Sequence, residues 1–152
     1  MTDDTPLTIR PLLATDKPVW HGLWNAYLTF YQTTLPEAVY ESTFARLISG
    51  LPGEFSGLIA SQDGRAVGLA HYLFHRSCWK IENACYLQDL YTLPDMRGRG
   101  VGRALVQAVY AQADMIGAPG VYWLTAENNY RGRMLYDQIG TKTPFIKYNR
   151  AV

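Results

Sequence analysis

Three features of this chain predict a mixed α/β fold with a mostly antiparallel sheet flanked by helices. Its apolar pattern switches repeatedly between the strand period and the helix period. An Asp63-Gly64 pair separates two strand-like runs, a strong hairpin signal. A glycine-rich stretch, Arg97 to Arg103, joins a strand-like run to an amphipathic helix, so that one strand pair is made parallel by a crossover.

The elements follow in order. Leu7 to Leu12 reads as a first strand stopped near Pro11. Asp16 reads as a helix N-cap with Pro18 in the first turn, and Trp20, Leu23, Trp24, Tyr27, Leu28 and Tyr31 are spaced as one helical face. Pro36 to Ile48 is a second helix closed by Gly50. Gly57 to Ser61 and Ala66 to His75 form the hairpin, and Ala84 to Leu93 is a strand ended by Pro94. Val101, Ala104, Leu105, Ala108, Val109 and Ile116 share a helical face that Gly117 or Gly120 ends. Val121 to Ala126 is an apolar strand, Asn129 to Ile139 a helix closed by Gly140, and Phe145 to Tyr148 a last strand.

A length of 152 residues suits a single domain over residues 1–152. With 48% apolar and 18% charged residues the chain can bury a core. A net charge of +1 points to neither a nucleic-acid nor a membrane partner. The start, Met-Thr-Asp-Asp-Thr-Pro, places acid where a signal peptide has basic residues, and no run approaches the roughly 18 apolar residues of a membrane span. These features predict a cytoplasmic protein whose Cys78 and Cys85 are free thiols. His71 and His75 are four apart, but on a strand that spacing is about 13 Å, too far for one metal. No metal is expected.

Arg97-Gly98-Arg99-Gly100-Val101-Gly102-Arg103 carries the clearest chemistry. Glycines let the backbone turn its N–H groups toward a ligand, a helix N-terminus adds partial positive charge, and arginines add charge-assisted bonds. Phosphate or pyrophosphate is the expected ligand. A dinucleotide fingerprint would need glycine where Arg103 stands, and a Walker A loop would need Gly-Lys-Ser/Thr, which is absent.

The Arg-x-x-Gly-x-Gly pattern of Arg97, Gly100 and Gly102 resembles the pyrophosphate motif of the GNAT superfamily of acetyl-CoA-dependent N-acetyltransferases. Tyr86-Leu87-Gln88-Asp89-Leu90-Tyr91 is similar to that family's central strand. Asn129-x-x-Gly132-x-x-Leu135-Tyr136 resembles its later helix, where alanine usually stands at the place of Gly132. The likeness is strong over residues 84–140 and is nearest in flavour to the yeast-type histone/polyamine and spermidine/spermine acetyltransferases. It implies the GNAT fold with a splayed central strand pair, acetyl-CoA as co-substrate, and direct transfer of acetyl to a primary amine. The acceptor would be a small molecule or peptide: a polyamine, a lysine-like amine or an amino-acid amine.

The resemblance also implies roles. Leu90, Tyr91 and Thr92 would present backbone to the cofactor, with Arg97, Gly98, Arg99, Gly100, Val101, Gly102 and Arg103 on the pyrophosphate and Asn129 on the cofactor arm. Tyr136 would be the general acid. Phe30, Tyr31 and Tyr40 would wall the acceptor site beside Gln88. Relatives often carry Glu at the position of Gln88, and glutamine takes no proton. Asp89 acts as base through water, or a water chain acts alone, or the acceptor arrives partly deprotonated, unless Asp89 binds the acceptor's charge or is structural. A catalytically weak acyl-CoA-binding or regulatory module on the same fold is the competing reading, and a homodimer paired through Phe145 to Tyr148 is a further expectation.

Overall fold

The computed structural model describes residues 5–152. The acidic start, residues 1–4, lies outside the described residues. Five strands form one sheet in the order β1-β2-β3-β4-β5: β1 (Thr8–Pro11), β2 (Ser56–Gln62), β3 (Arg65–His75), β4 (Ala84–Thr92) and β5 (Val121–Tyr122). All neighbours are antiparallel except β4 and β5. Four helices accompany it: α1 (Lys17–Phe30), α2 (Glu37–Ser49), α3 (Val101–Met115) and α4 (Tyr130–Ile139).

The β2–β3 turn is the one its dipeptide predicts, with Asp63 at φ 53° and Gly64 at φ 73°. Gly50, at φ 65°, closes α2 as expected. α1 and α2 cover one face of the sheet with Trp20, Leu23, Trp24, Leu28, Phe44 and Leu47 against Ile59, Leu69 and Tyr91. α3 covers the other with Val101, Leu105, Val106, Val109 and Ala113 against Leu58, Ala70, Tyr72, Cys85 and Leu87. Cys85 is buried, which pushes its thiol up to about 11, while Cys78 is exposed; both are free.

Four expectations need correction. Asp16 stands at the N-cap of α1 without capping it. Its carboxylate instead takes two bonds from Arg10, at 2.7 and 2.8 Å, and one from the Leu13 N–H, and a bidentate guanidinium outcompetes a helix N–H. Ile116 is 55% exposed because α3 ends at Met115 and Gly117 turns away at φ 72°, while Val106, not anticipated, is fully buried. The strand expected over Val121 to Ala126 stops at Tyr122. Phe145 to Tyr148 forms no strand: Phe145, Ile146 and Tyr148 are exposed, and a two-residue β5 offers too short an edge to extend the ladder.

One irregularity positions the site. β3 and β4 pair His71 with Asp89 and then Tyr72 with Leu87, so Gln88 is an extra residue in β4. Side chains alternate across a sheet, and an added residue reverses the parity. Leu87 and Leu90 therefore both face α3, while Asp89 and Tyr91 face α1.

Candidate active site

β4 is nine residues long, but β5 pairs with it only at Cys85 and Tyr86. Beyond that point the two strands part, and the β4 backbone from Leu87 onward has no strand on its β5 side. A cavity of about 650 Å³ opens there. β4 contributes Leu90, Tyr91 and Thr92 to its wall, the end of α1 contributes Tyr27, Phe30 and Tyr31, and α4 contributes Leu135 and Tyr136.

The floor of the cavity is the glycine loop. Gly98 and Gly100 adopt left-handed φ values of 76° and 84°, and a Cβ at either would meet no protein atom within 4 Å. Gly100 occupies the N-cap of α3 and supplies no side-chain cap. The first helical bond runs from the Ala104 N–H to the Gly100 carbonyl. The N–H groups of Val101, Gly102 and Arg103 precede it and are free for a ligand. Arg97, Arg103 and Arg131 line the same cavity, and no carboxylate does among the described residues. An uncapped helix N-terminus, open glycines and three guanidinium groups fit a pyrophosphate-bearing ligand such as coenzyme A.

The arginines differ. The Arg97 guanidinium lies 5.1 Å from the Phe30 ring centroid and 5.9 Å from that of Tyr91, with its Nε donating to the Thr92 carbonyl at 3.3 Å. Arg103 donates to Gln138 of α4. Arg99, expected on the pyrophosphate, is exposed and lines no part of the cavity. Arg131 was not anticipated from the sequence; it belongs to α4, two residues beyond the Asn129 that does carry a signal.

Asn129 caps α4. Its Oδ1 accepts from the Gly132 N–H at 3.2 Å and its Nδ2 donates to Thr125 Oγ1 at 3.0 Å. A Cβ on Gly132 would lie 2.6 Å from Asn129 Nδ2, so glycine here is what lets the amide fold over the first turn. Tyr136, one turn on, is half-buried with its ring edge-on to Trp123 at 5.5 Å. Burial, reinforced by Tyr31, raises its phenol above the ordinary range, so it holds its proton and can donate it. No partner takes that hydroxyl among the described residues.

Asp89 is 8% exposed and does not line the cavity. Its Oδ1 accepts from the Tyr27 hydroxyl at 2.7 Å, and its Oδ2 lies 3.0 Å from His71 Nδ1. Gln88 is exposed at the bulge and also stays off the cavity wall. Phe30 and Tyr31 line the main cavity and a second of about 350 Å³ beside it, with Gln32, Asn128 and Asn129. Tyr40 lines neither: it is 6% exposed, packed on Trp20 and His21, and donates to Asn25 Oδ1 at 3.0 Å, a core residue rather than a pocket wall. His75 bonds Tyr122 and the Arg76 carbonyl, apart from His71.

Known proteins agree with this geometry. The acetyltransferase (GNAT) family profile matches residues 20–141. The chain is 37% identical over 145 residues to the D-amino-acid N-acetyltransferase HPA3 of Saccharomyces cerevisiae, covering 95% of this chain and 90% of that protein. It is 31% identical over 103 residues to the thialysine N-epsilon-acetyltransferase of Bos taurus, covering 68% of this chain and 56% of that protein. In fold it is similar to the aminoglycoside N-acetyltransferase AAC(6')-Iy solved in complex with CoA, with a TM-score of 0.83 at 19% identity over 99% of this chain and 98% of that one. With a parted β4–β5 pair, a glycine loop opening α3 and a profile match over most of its length, the chain belongs to the GNAT family of acetyltransferases.

Proposed function

We propose that the protein transfers acetyl from acetyl-CoA to the amine of a small acceptor, an amino-acid amine foremost. One observation carries this reading: the uncapped α3 N-terminus, the free edge of β4 and the Tyr136 phenol all border a single cavity. The glycine loop would hold the pyrophosphate, and the β4 edge near Leu90 and Tyr91 would lie along the pantetheine arm and donate to the thioester carbonyl as it gains charge. The amine nitrogen bonds to the carbonyl carbon, the C–S bond breaks, and Tyr136 protonates the leaving thiolate. The nitrogen's surplus proton returns to Tyr136 through water.

The acceptor class draws support from charge. A polyamine or aminoglycoside would meet guanidinium groups and no carboxylate on the walls of the two cavities, whereas an amino acid brings a carboxylate of its own. The relatives named for D-amino acids and thialysine are consistent with that choice. No helix among the described residues is long and apolar enough to cross a membrane, and we place the reaction in the cytoplasm. Gln88 and the engaged oxygens of Asp89 favour one rival, a CoA-binding module of weak activity.

CoA release measured against D- and L-amino acids, lysine analogues, polyamines and aminoglycosides separates the two. Amine-stimulated release supports the enzyme; tight CoA binding without turnover supports the module. With the acceptor in hand, Tyr136→Phe should lower kcat on the order of a hundredfold and leave the KM for acetyl-CoA unchanged. A wild-type rate in that variant would remove Tyr136 from the chemistry.

A further inference from the structure

Four side chains not grouped by any sequence motif form a continuous buried chain from α1 through the sheet and back. Trp20 Nε1 donates to His71 Nε2 at 3.0 Å, His71 Nδ1 meets Asp89 Oδ2 at 3.0 Å, and Asp89 Oδ1 accepts from the Tyr27 hydroxyl at 2.7 Å. Trp20 is fully buried and His71 is 2% exposed. Of the four, Tyr27 alone borders the main cavity.

The donor directions decide what this chain can do. An indole N–H only donates, so His71 Nε2 must carry a lone pair and the ring proton sits on Nδ1, pointed at Asp89. His71 is thereby a donor to Asp89 and cannot take a proton without losing Trp20. The carboxylate is the acceptor on which both donors converge. Two further titratable groups feel it, Tyr31 at the C-cap of α1 and Tyr86 on β4, and both are phenols that burial and Asp89 itself keep protonated. The two oxygens of Asp89 are met by two donors, Tyr27 and His71, and by no guanidinium or ammonium group among the described residues. The way in is Tyr27. Its one hydrogen is committed to Asp89, so its oxygen presents lone pairs to the cavity and can accept an N–H.

We propose that Tyr27 is the relay residue facing the acceptor amine, with Asp89 as the destination of the proton and Trp20 and His71 as positioning residues. This rests on the transferase reading above. The step balances without an added reagent. The acceptor's ammonium gives one proton to Tyr27 Oη as the Tyr27 hydroxyl proton passes to Asp89 Oδ1, leaving a neutral amine and a neutral carboxylic acid. Burial and Asp89 hold the Tyr27 phenol far above its ordinary range, so it never rests as phenolate and acts only by exchanging one proton for another. After transfer, Asp89 returns its proton to solvent by the same route, and the cycle releases one proton per amide formed.

The test is the pH profile of kcat/KM for the amine found by the panel, in wild type, Tyr27→Phe, Asp89→Asn and Trp20→Phe, with CoA affinity measured alongside. An amine free in solution is neutral only near its own pKa, about 10.4 for a lysine-type group. Tyr27→Phe keeps the ring, which stacks on Trp24 with centroids 4.8 Å apart, and should fold. It should lose on the order of a hundredfold at neutral pH and recover about tenfold per pH unit toward the amine's pKa. Asp89→Asn should follow the same curve. Trp20→Phe removes the donor that fixes the His71 tautomer, so His71 no longer holds Asp89 in place. Its acid limb should move the same way by less, with CoA affinity intact. Profiles parallel to wild type in Tyr27→Phe would overturn the relay and leave the transferase standing. No amine-dependent CoA release from any acceptor would overturn both. Nitrogen NMR of His71 supplies a readout independent of turnover: Nδ1–H with a bare Nε2 supports the chain, and the opposite tautomer refutes it.

Discussion

Gly100 is the residue at which binding and stability can be separated. It opens α3 at φ 84° and ψ 7°, where a side chain is strained whatever the space around it. A left-handed L-residue costs about 1–2 kcal/mol. At about 2–4 °C per kcal/mol in a domain of this size, Gly100→Ala should melt about 2–8 °C lower. The added Cβ meets no protein atom within 4 Å, so strain is the whole structural cost. Gly100 borders the cavity immediately before Val101, Gly102 and Arg103, whose N–H groups are free. Displacing one charge-assisted contact costs about 1.5–3 kcal/mol, or about ten- to a hundredfold in the Kd for CoA. Gly100→Val should sit at the upper end of both ranges. Gly50→Ala is the control, because Gly50 is also left-handed at φ 65° and also open, but caps α2 away from the cavity. Melting and titration calorimetry on both variants measure the two costs. A folded Gly100→Val protein that binds CoA like wild type, or a Gly50→Ala protein that loses as much affinity, would refute the assignment of the loop.

A Cβ on Gly68 would fall 2.8 Å from the Tyr91 carbonyl and 3.1 Å from the Val101 and Leu105 side chains, so Gly68→Ala must shift β3 against the β4 backbone at Tyr91 and crowd the start of α3; we expect a loss of about 1–3 kcal/mol by urea denaturation together with weaker CoA binding. Burial raises the phenols of Tyr27, Tyr31, Tyr72, Tyr86, Tyr110, Tyr122 and Tyr136 in the folded state. Below about pH 10 neither state ionises, and above it the unfolded chain loses its protons first, so stability should fall as pH rises past about 10; a flat melting profile there would contradict this. Phe145, Ile146 and Tyr148 are 78%, 76% and 86% exposed; a homodimer paired through this segment predicts a dimer in the intact chain and a monomer after removal of residues 141–152 by light scattering, and a monomer in the intact chain would refute it.

How far the fold could be read depended on whether the signal was local. The Asp63-Gly64 turn, the Gly50 cap and the apolar faces of α1 and α3 are written within a few residues, and each formed where expected except at the last position of the two faces, Tyr31 and Ile116, which fall beyond the helix ends and are exposed. The short β5 was misjudged because an apolar run such as Val121 to Ala126 shows hydrophobicity but not whether a partner edge continues beside it. Tyr40 and Tyr31 were both expected to wall the acceptor site, yet one is buried by Trp20 and the other is left at the open end of α1. In the site, the glycine loop and Tyr136 stood in recognisable motifs. Tyr27 and His71 did not: they meet Asp89 from 62 and 18 residues away, and no spacing rule reaches across such separations. His21 likewise found a partner, Glu37 at 3.0 Å, only through the packing of α1 on α2.

The bulge at Gln88 explains why a sequence that lacks glutamate at that position keeps a carboxylate bonded to a residue of the cavity wall. Were β4 regular, Asp89 would keep the parity of Leu87 and point into the apolar layer under α3, where an unpaired charge is costly. The extra residue turns Asp89 and Tyr91 together toward α1. There Asp89 meets two donors, and Tyr91 becomes part of the wall that Tyr27 and Arg97 complete. Gln88 itself is thrown outward and exposed, so restoring glutamate at that position need not restore a base. The irregularity that parts β4 from a simple ladder thus also decides which face its acid serves. The proposed proton path then depends on α1, whose Tyr27 bonds the buried carboxylate and borders the cavity.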